Sequence, residues 1–377
     1  MSAQVRPDDL FRKITVFEGA RDSSVPRTRL EEVRARSRKF REETLSGGEA
    51  LFYKTCELVR VPYPVRYAFF RVYTQRPIVS PVLHIINRLF VVQFKNGGSV
   101  KTLLFSPSDV LANAETRFFK RLGGGDLARS SVKTGDKSVG GLLKSGIQKM
   151  VAPTNKTVPE WLDQLGIRPE DVDYVSYDHL HTQDLRNWLG SDDRPALFPN
   201  AKLLIMRKEW ESAQGLLPPQ QDWYCPHATK GIDPSKVIFL ESDVSLGEGV
   251  ALIRTPGHTM GNHSLVARTA EGVMVSSENG VGADAYAPEK SSIDAVRKFA
   301  KNTGQEVILN GNTQESGLDQ YISMIQEKEM AGPSRRNPEF PNTVPSSEFS
   351  AWWLFRGIQP TFTFGDLEFG KLRRGAS

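Results

Sequence analysis

The stretch Tyr177-Asp-His-Leu-His-Thr-Gln-Asp-Leu-Arg186 sets His179 and His181 two residues apart, just after an apolar run. In an extended segment residues i and i+2 point to the same side, so both imidazoles can face one point. Neutral imidazole is the commonest protein ligand for zinc and also suits iron and manganese. A third histidine, His258, stands in the Pro-Gly turn of Ile253-Arg-Thr-Pro-Gly-His-Thr-Met-Gly-Asn-His-Ser-Leu265, between two candidate strands. Such a turn holds a side chain at the end of a sheet, and a third nitrogen brings the set close to a four-donor shell. His263, five residues on, falls in the following strand and reads as a hydrogen-bonded structural histidine.

The remaining reactive residue types are less informative. Cys225-Pro-His227 reads as a loop cysteine beside a surface histidine, and His84 as a core or pocket-wall residue. Trp352-Trp353 and the aromatics at 362–364 read as a C-terminal strand lying on the domain. There is no Walker-type loop, no zinc-finger spacing and no Gly-x-Gly-x-x-Gly after a strand, so nucleotide-dependent chemistry has no support.

The elements that must position the histidines come in two styles. Residues 1–55 open with a charged, helix-forming run from Pro26, stopped at Gly47-Gly48. From 57 to 105 the chain is rich in β-branched and aromatic residues, and Asn96-Gly97-Gly98 marks a hairpin. Ser106-Pro-Ser-Asp then predicts a helix to about Leu122, closed by Gly123-Gly124-Gly125. Residues 123–155, rich in Gly, Ser and Lys, read as an insertion, either a lid or a loop. From Thr157, whose Val-Pro-Glu sequel is a capping box, helices and strands alternate. Strands are expected at 172–177, 202–206, 236–240, 250–255, 264–268, 272–276 and 306–309. Helices are expected at 183–189, 207–214, 291–301 and 314–328.

Composition bounds the class. The 377 residues carry 39% hydrophobic and 25% charged residues and a net charge of +5, with basic and acidic residues intermixed. That describes a globular chain with a solvated surface and no nucleic-acid stripe. No apolar run reaches the roughly 20 residues of a membrane span, so no membrane partner is expected. The opening residues lack the core of a signal peptide, and two cysteines suit a reducing compartment, which together predict a cytoplasmic protein. A homo-oligomer is left open.

The two histidine clusters, taken in order, resemble the motifs of the metallo-β-lactamase superfamily, in the branch containing glyoxalase II and the homoserine-lactone lactonases. The family's first motif is Thr-His-x-His-x-Asp-His. Its later Thr-Pro-Gly-His-Thr-x-Gly-x-x-Ser-Leu is matched throughout residues 255–265. Gly166-Ile-Arg-Pro-Glu-Asp-Val-Asp-Tyr resembles the lead into the first motif, and Phe198-Pro-Asn-Ala-Lys with Glu209-Trp210 the segment after it. The resemblance covers roughly residues 57–330. It implies an α+β chain, a four-layer αβ/βα metallo-β-lactamase sandwich with an N-terminal helical extension over 1–55. The main domain would span 56–377, with residues 331–377 a C-terminal extension packed on it.

The carry-over is uneven. His179, His181 and His258 match the family's first metal site. At the second site Gln183 stands for an aspartate, Asp184 for a histidine, Glu278 for the bridging aspartate and Asn312 for the last histidine. Gln183 and Asn312 are neutral, weak donors; Glu278 keeps its carboxylate but adds a methylene; Asp184 is a shorter, harder ligand than imidazole. The resemblance thus implies one zinc, with iron or manganese as alternates and a second metal disfavoured. Asp184 and Glu278 are the candidates to complete the shell or orient water. The implied activity is hydrolysis of a small ester, thioester or lactone. Two other readings remain: a mononuclear iron oxidoreductase, and a scaffold that keeps the fold without catalysis.

Overall fold

In the computed structural model the described residues are 7, 10–73, 82–121, 155–313, 316–352 and 358–373. The strands are β1 (Arg12–Ile14), β2 (Phe52–Pro64), β3 (Val82–Asn96), β4 (Ser99–Phe105), β5 (Tyr174–Ser176), β6 (Lys202–Met206) and β7 (Val237–Leu240). They continue with β8 (Asp243–Gly247), β9 (Val250–Arg254), β10 (His263–Thr269), β11 (Gly272–Ser276), β12 (Ser347–Ser350) and β13 (Glu368–Gly370). Two sheets form: a five-stranded one in the order β1-β8-β9-β10-β11, and an eight-stranded one in the order β13-β2-β3-β4-β5-β6-β7, with β12 also paired to β3. The first is antiparallel throughout. In the second, β4 to β7 run parallel, so their C-terminal ends share one rim.

Strand alternation builds the layers. On β3, β4 and β6, Phe90, Val92, Phe94, Leu103, Phe105, Leu204 and Met206 face the five-stranded sheet and meet Leu246, Leu252, Leu265 and Met274. The intervening Leu89, Val91, Leu104, Leu203 and Ile205 turn outward to a second core with Trp161 and Leu162. Each such side chain, taken fully from water, contributes about 1.5–3 kcal/mol. The outer face of the five-stranded sheet, Ile253, Val266, Val273 and Val275, is covered through Phe40 and Met330. These belong to helices α1 (Pro26–Ser46) and α5 (Gly317–Ala331). The other principal helices are α2 (Val158–Leu165), α3 (Arg207–Gln214) and α4 (Asp294–Thr303). The result is the expected helix–sheet–sheet–helix sandwich. No helix among the described residues is long and apolar enough to cross a membrane.

Local signals are realised where they were self-contained. Thr157 and Glu160 form both bonds of the capping box, and Asn96 pairs with Ser99 across the hairpin. Four expectations are corrected. The helix foreseen from 106 breaks into turns at Val110–Asn113 and Arg117–Arg121, where Thr116 bonds the Asn113 carbonyl. The helix foreseen at 183–189 shrinks to Arg186–Leu189, because Thr182 takes a left-handed φ of 61° and the chain turns before it coils. Residues 306–309 are not a strand: Val307 and Ile308 are buried, but Ile308 bonds the Ala285 carbonyl in a loop instead of a ladder. The strand foreseen over 172–177 covers only Tyr174–Ser176, because the helical turn Pro169–Asp171 precedes it. The insertion expected at 123–155 lies almost wholly outside the described residues.

Candidate metal centre

His179 and His181 leave the C-terminal end of β5, and His258 occupies the turn between β9 and β10. Their ring centroids form a nearly equilateral triangle: 4.8 Å from His179 to His181, 4.5 Å from His179 to His258 and 4.9 Å from His181 to His258. One nitrogen of each ring lies within 4.8 Å of the others, and all three residues are buried. Among the described residues, Nε2 of His179, both ring nitrogens of His181 and Nε2 of His258 have no hydrogen-bond partner.

The surrounding polar groups hold the rings from behind. Asp178 Oδ1 accepts from both the backbone N–H and Nδ1 of His179, each at 3.0 Å, while Ser346 Oγ donates to Asp178 Oδ2 at 2.6 Å. This leaves His179 Nε2 as the free donor atom of the ring. His258 Nδ1 stands 3.2 Å from Thr313 Oγ1, which directs its Nε2 inward in the same way. Burial alone would lower His179, but the Asp178 carboxylate outweighs it and raises the ring to about 9. His181 and His258 are driven well below the usual histidine value by burial and by their neighbouring imidazoles. Both are neutral donors, the form in which imidazole ligates.

Two glycines let the loops close. A Cβ on Gly257, whose φ is +137°, would lie 2.1 Å from the backbone nitrogen of Gln320 in α5. A Cβ on Gly261 would lie 2.2 Å from the backbone nitrogen of Glu209. Glu209, in the first turn of α3, is fully buried and bridges the two histidine loops. It accepts from the Leu180 amide at 2.8 Å, Thr259 Oγ1 at 2.6 Å and the Gly261 amide at 3.2 Å. Burial raises its carboxyl above the ordinary value.

Neither of the two carboxylates at the altered second-site positions, Asp184 and Glu278, joins the three histidines in one cluster. The Asp184 carboxylate is gripped by Arg186, Nε on Oδ1 at 3.0 Å and Nη2 on Oδ2 at 2.6 Å, with the Arg186 amide also on Oδ1. Gln183 Oε1 accepts from Ser108 Oγ at 3.0 Å, and Asn312 Nδ2 donates to the Tyr63 phenol at 2.9 Å. Glu278 is partly exposed and near enough for its charge to act on His179. Burial, reinforced by that Glu278 charge, holds the Tyr63 phenol well above its usual value, so it stays protonated.

His263 lies in β10 with Nε2 3.1 Å from Ser176 Oγ, and burial lowers it to about 4, as suits a neutral structural ring. His84 stacks on Trp352 with centroids 4.4 Å apart, and the buried Cys225 thiol is directed at the Ala112 and Thr182 carbonyls. His227 is exposed. Sequence reasoning gave no role in the centre to Asp178, Thr313, Ser346 and Tyr63, and noted Glu209 only within the Glu209-Trp210 resemblance. Of these only Asp178 carried a local signal, as the carboxylate immediately before the first histidine.

No family model matches the chain. It is 31% identical over 114 residues to an N-acyl homoserine lactonase of Bacillus cereus, a match covering 30% of this chain and 40% of that one. It is 32% identical over 108 residues to another from a Bacillus species, covering 29% and 38%. The matches thus span about two fifths of the relatives' length. Among solved structures it is similar to a probable metal-dependent hydrolase from Staphylococcus aureus, at 14% identity and a TM-score of 0.47 over 74% of this chain and 83% of that one. It is also similar to a quorum-quenching N-acyl homoserine lactone lactonase, at 14% identity and a TM-score of 0.42 over 69% and 90%. The Thr-Pro-Gly-His motif in its turn and three histidines converging at the rim of a two-sheet sandwich are thus accompanied by sequence similarity to N-acyl homoserine lactonases over about 30% of the chain.

Proposed function

We propose that the chain is a metal-dependent hydrolase of a small carbonyl substrate, an ester, a thioester or a lactone, built on one ion held by His179, His181 and His258. The observation that carries this reading is the convergence of buried imidazole nitrogens that have no partner among the described residues. An unpaired buried polar atom costs about 1–3 kcal/mol, a cost that coordination removes. Zinc suits such a set first, and iron or manganese after it. A divalent ion held by these residues would supply Lewis-acid polarisation of a carbonyl and a bound water nucleophilic near neutral pH.

The chain's own residues supply the rest. Asp178 and Thr313 fix the tautomers of His179 and His258, and Glu209 locks the spacing of the two loops. Glu278, partly exposed and near enough for its charge to act on His179, would accept a proton from the attacking water and return it to the leaving alkoxide or thiolate. Asp184 is left out of the ligand set, because Arg186 occupies both its oxygens. An iron oxidation site of the usual kind needs a carboxylate among its ligands, whereas the cluster here is three histidines.

The lactonase relatives make an acylated homoserine lactone the first substrate class to test. Metal analysis of the purified chain should return about one equivalent, and a panel of lactones, thioesters and aryl esters should show turnover that His258→Ala abolishes together with the metal. Unchanged metal content and turnover in His258→Ala would overturn the reading.

A further inference from the structure

Three of the four second-site positions, Gln183, Asp184 and Asn312, hold partners within the protein through their side chains. The partner of Asn312 is the phenol of Tyr63, which can donate a hydrogen bond while it accepts one. Tyr63, next to the last residue of β2, is 7% exposed and receives the Asn312 amide hydrogen on its phenol oxygen at 2.9 Å. A phenol oxygen that accepts from one side keeps its own hydrogen for a second partner. No acceptor for that hydrogen is present among the described residues.

The phenol is also connected to the histidines through its neighbours. Asn312 adjoins Thr313, which holds His258. The Glu278 charge acts on both Tyr63 and His179. The Tyr63 ring packs on Tyr67 and Phe118, Phe118 stacks on Trp223 at 4.3 Å, and Trp223 lies 6.2 Å from the His181 ring. A series of ring contacts therefore links His181 to Tyr63.

We propose that the Tyr63 phenol, aimed by Asn312, is the hydrogen-bond donor that stabilises the oxyanion formed at the substrate carbonyl, the part a second metal would otherwise play. No proton leaves the phenol; it donates a hydrogen bond to the carbonyl oxygen that strengthens as charge builds there. The assignment rests on the hydrolase reading for its substrate, and two measurements separate the two. Tyr63→Phe keeps the ring and removes one oxygen, so zinc content and the circular dichroism spectrum should match the parent chain. With a γ-lactone as substrate, kcat should fall about 100-fold while KM moves little, the size expected for one oxyanion donor. In calorimetry of the zinc-loaded protein with 4-hydroxybutyrate, binding should weaken about tenfold or more, as for a hydrogen bond to a charged group. Asn312→Ala should reproduce part of the kcat loss. Full kcat in Tyr63→Phe against a chain that hydrolyses lactones overturns the phenol's role and leaves the hydrolase intact. Phenol-dependent binding without any hydrolysis overturns the hydrolase and keeps the donor. Binding that Tyr63→Phe leaves unchanged overturns the donor.

Discussion

The Glu209 carboxylate accepts the Leu180 amide at 2.8 Å, and Leu180 is the residue between His179 and His181. The other oxygen of the same carboxylate takes Thr259 Oγ1 and the Gly261 amide from the loop that carries His258. One buried side chain from α3 therefore sets the distance between two loops that the sequence separates by about eighty residues. Glu209→Ala leaves those donors without an acceptor, at about 1–3 kcal/mol each. The variant should lose about 3 kcal/mol or more in urea unfolding and bind zinc about 10–100-fold more weakly in a chelator competition. Zinc affinity equal to the parent's would show that the loops keep their spacing without Glu209.

Gly257 and Gly97 make a second test, because both have positive φ and only one is crowded. An added Cβ at Gly257 meets the Gln320 backbone at 2.1 Å, whereas at Gly97, φ +56°, nothing lies within 4 Å. Gly97→Ala carries conformational strain alone, about 1 kcal/mol. Gly257→Ala adds a clash with the backbone of α5 and displaces His258, so its cost should exceed about 3 kcal/mol. Equal unfolding midpoints for the two variants would remove the close approach as the reason for the glycine.

What could be read from the chain alone was whatever depends on near neighbours. The capping box of Thr157 and Glu160 spans three residues, the hairpin at Gly97-Gly98 needs only its own turn, and the alternation on β3 is intrinsic to the strand. The three histidines were legible because their motif is written in order along the chain. Strands of three to five residues such as β1, β8 and β13 are too short to show a period, and they exist because a neighbouring edge accepts them. The supports of the centre were hidden by distance: Ser346 reaches Asp178 across 168 positions and Tyr63 reaches Asn312 across 249. The fate of Asp184 depended on a partner two residues away, Arg186, and a carboxylate in the place of an imidazole does not announce which neighbour will claim the charge.

Acid should loosen the contact of α1 with α5 through Glu329. Burial alone would raise this carboxyl, but Arg38 and Arg34, at 2.8 and 2.7 Å, outweigh it and bring it below the usual 4.5. A carboxyl depressed on folding binds protons more readily when unfolded, so its contribution is complete above the unfolded value and lost as pH falls through the lower folded one. The stability difference between the parent chain and Glu329→Gln should therefore be constant from pH 7 to about 5 and shrink below about 4.5. A difference that grows on acidification would have the wrong sign for this ion pair.

On the proposed one-ion reading, Arg186 bears on the number of ions as much as the histidines do. Its guanidinium holds both Asp184 oxygens, and a cation placed on that carboxylate would have to displace the arginine and accept its repulsion. Zinc titration of the metal-free chain should therefore saturate near one tight equivalent, and Arg186→Met should leave that first equivalent unchanged. Freed of its partner, Asp184 gains room for a cation, so any second, weaker equivalent should show itself in Arg186→Met and not in the parent. Removing the first ion with a chelator should lower the melting temperature, because a ligand at about 1,000 times its Kd stabilises the folded state by about 4 kcal/mol. Two tight equivalents in the parent chain would mean that Asp184 gives up Arg186 when metal binds, and the one-ion reading would fall.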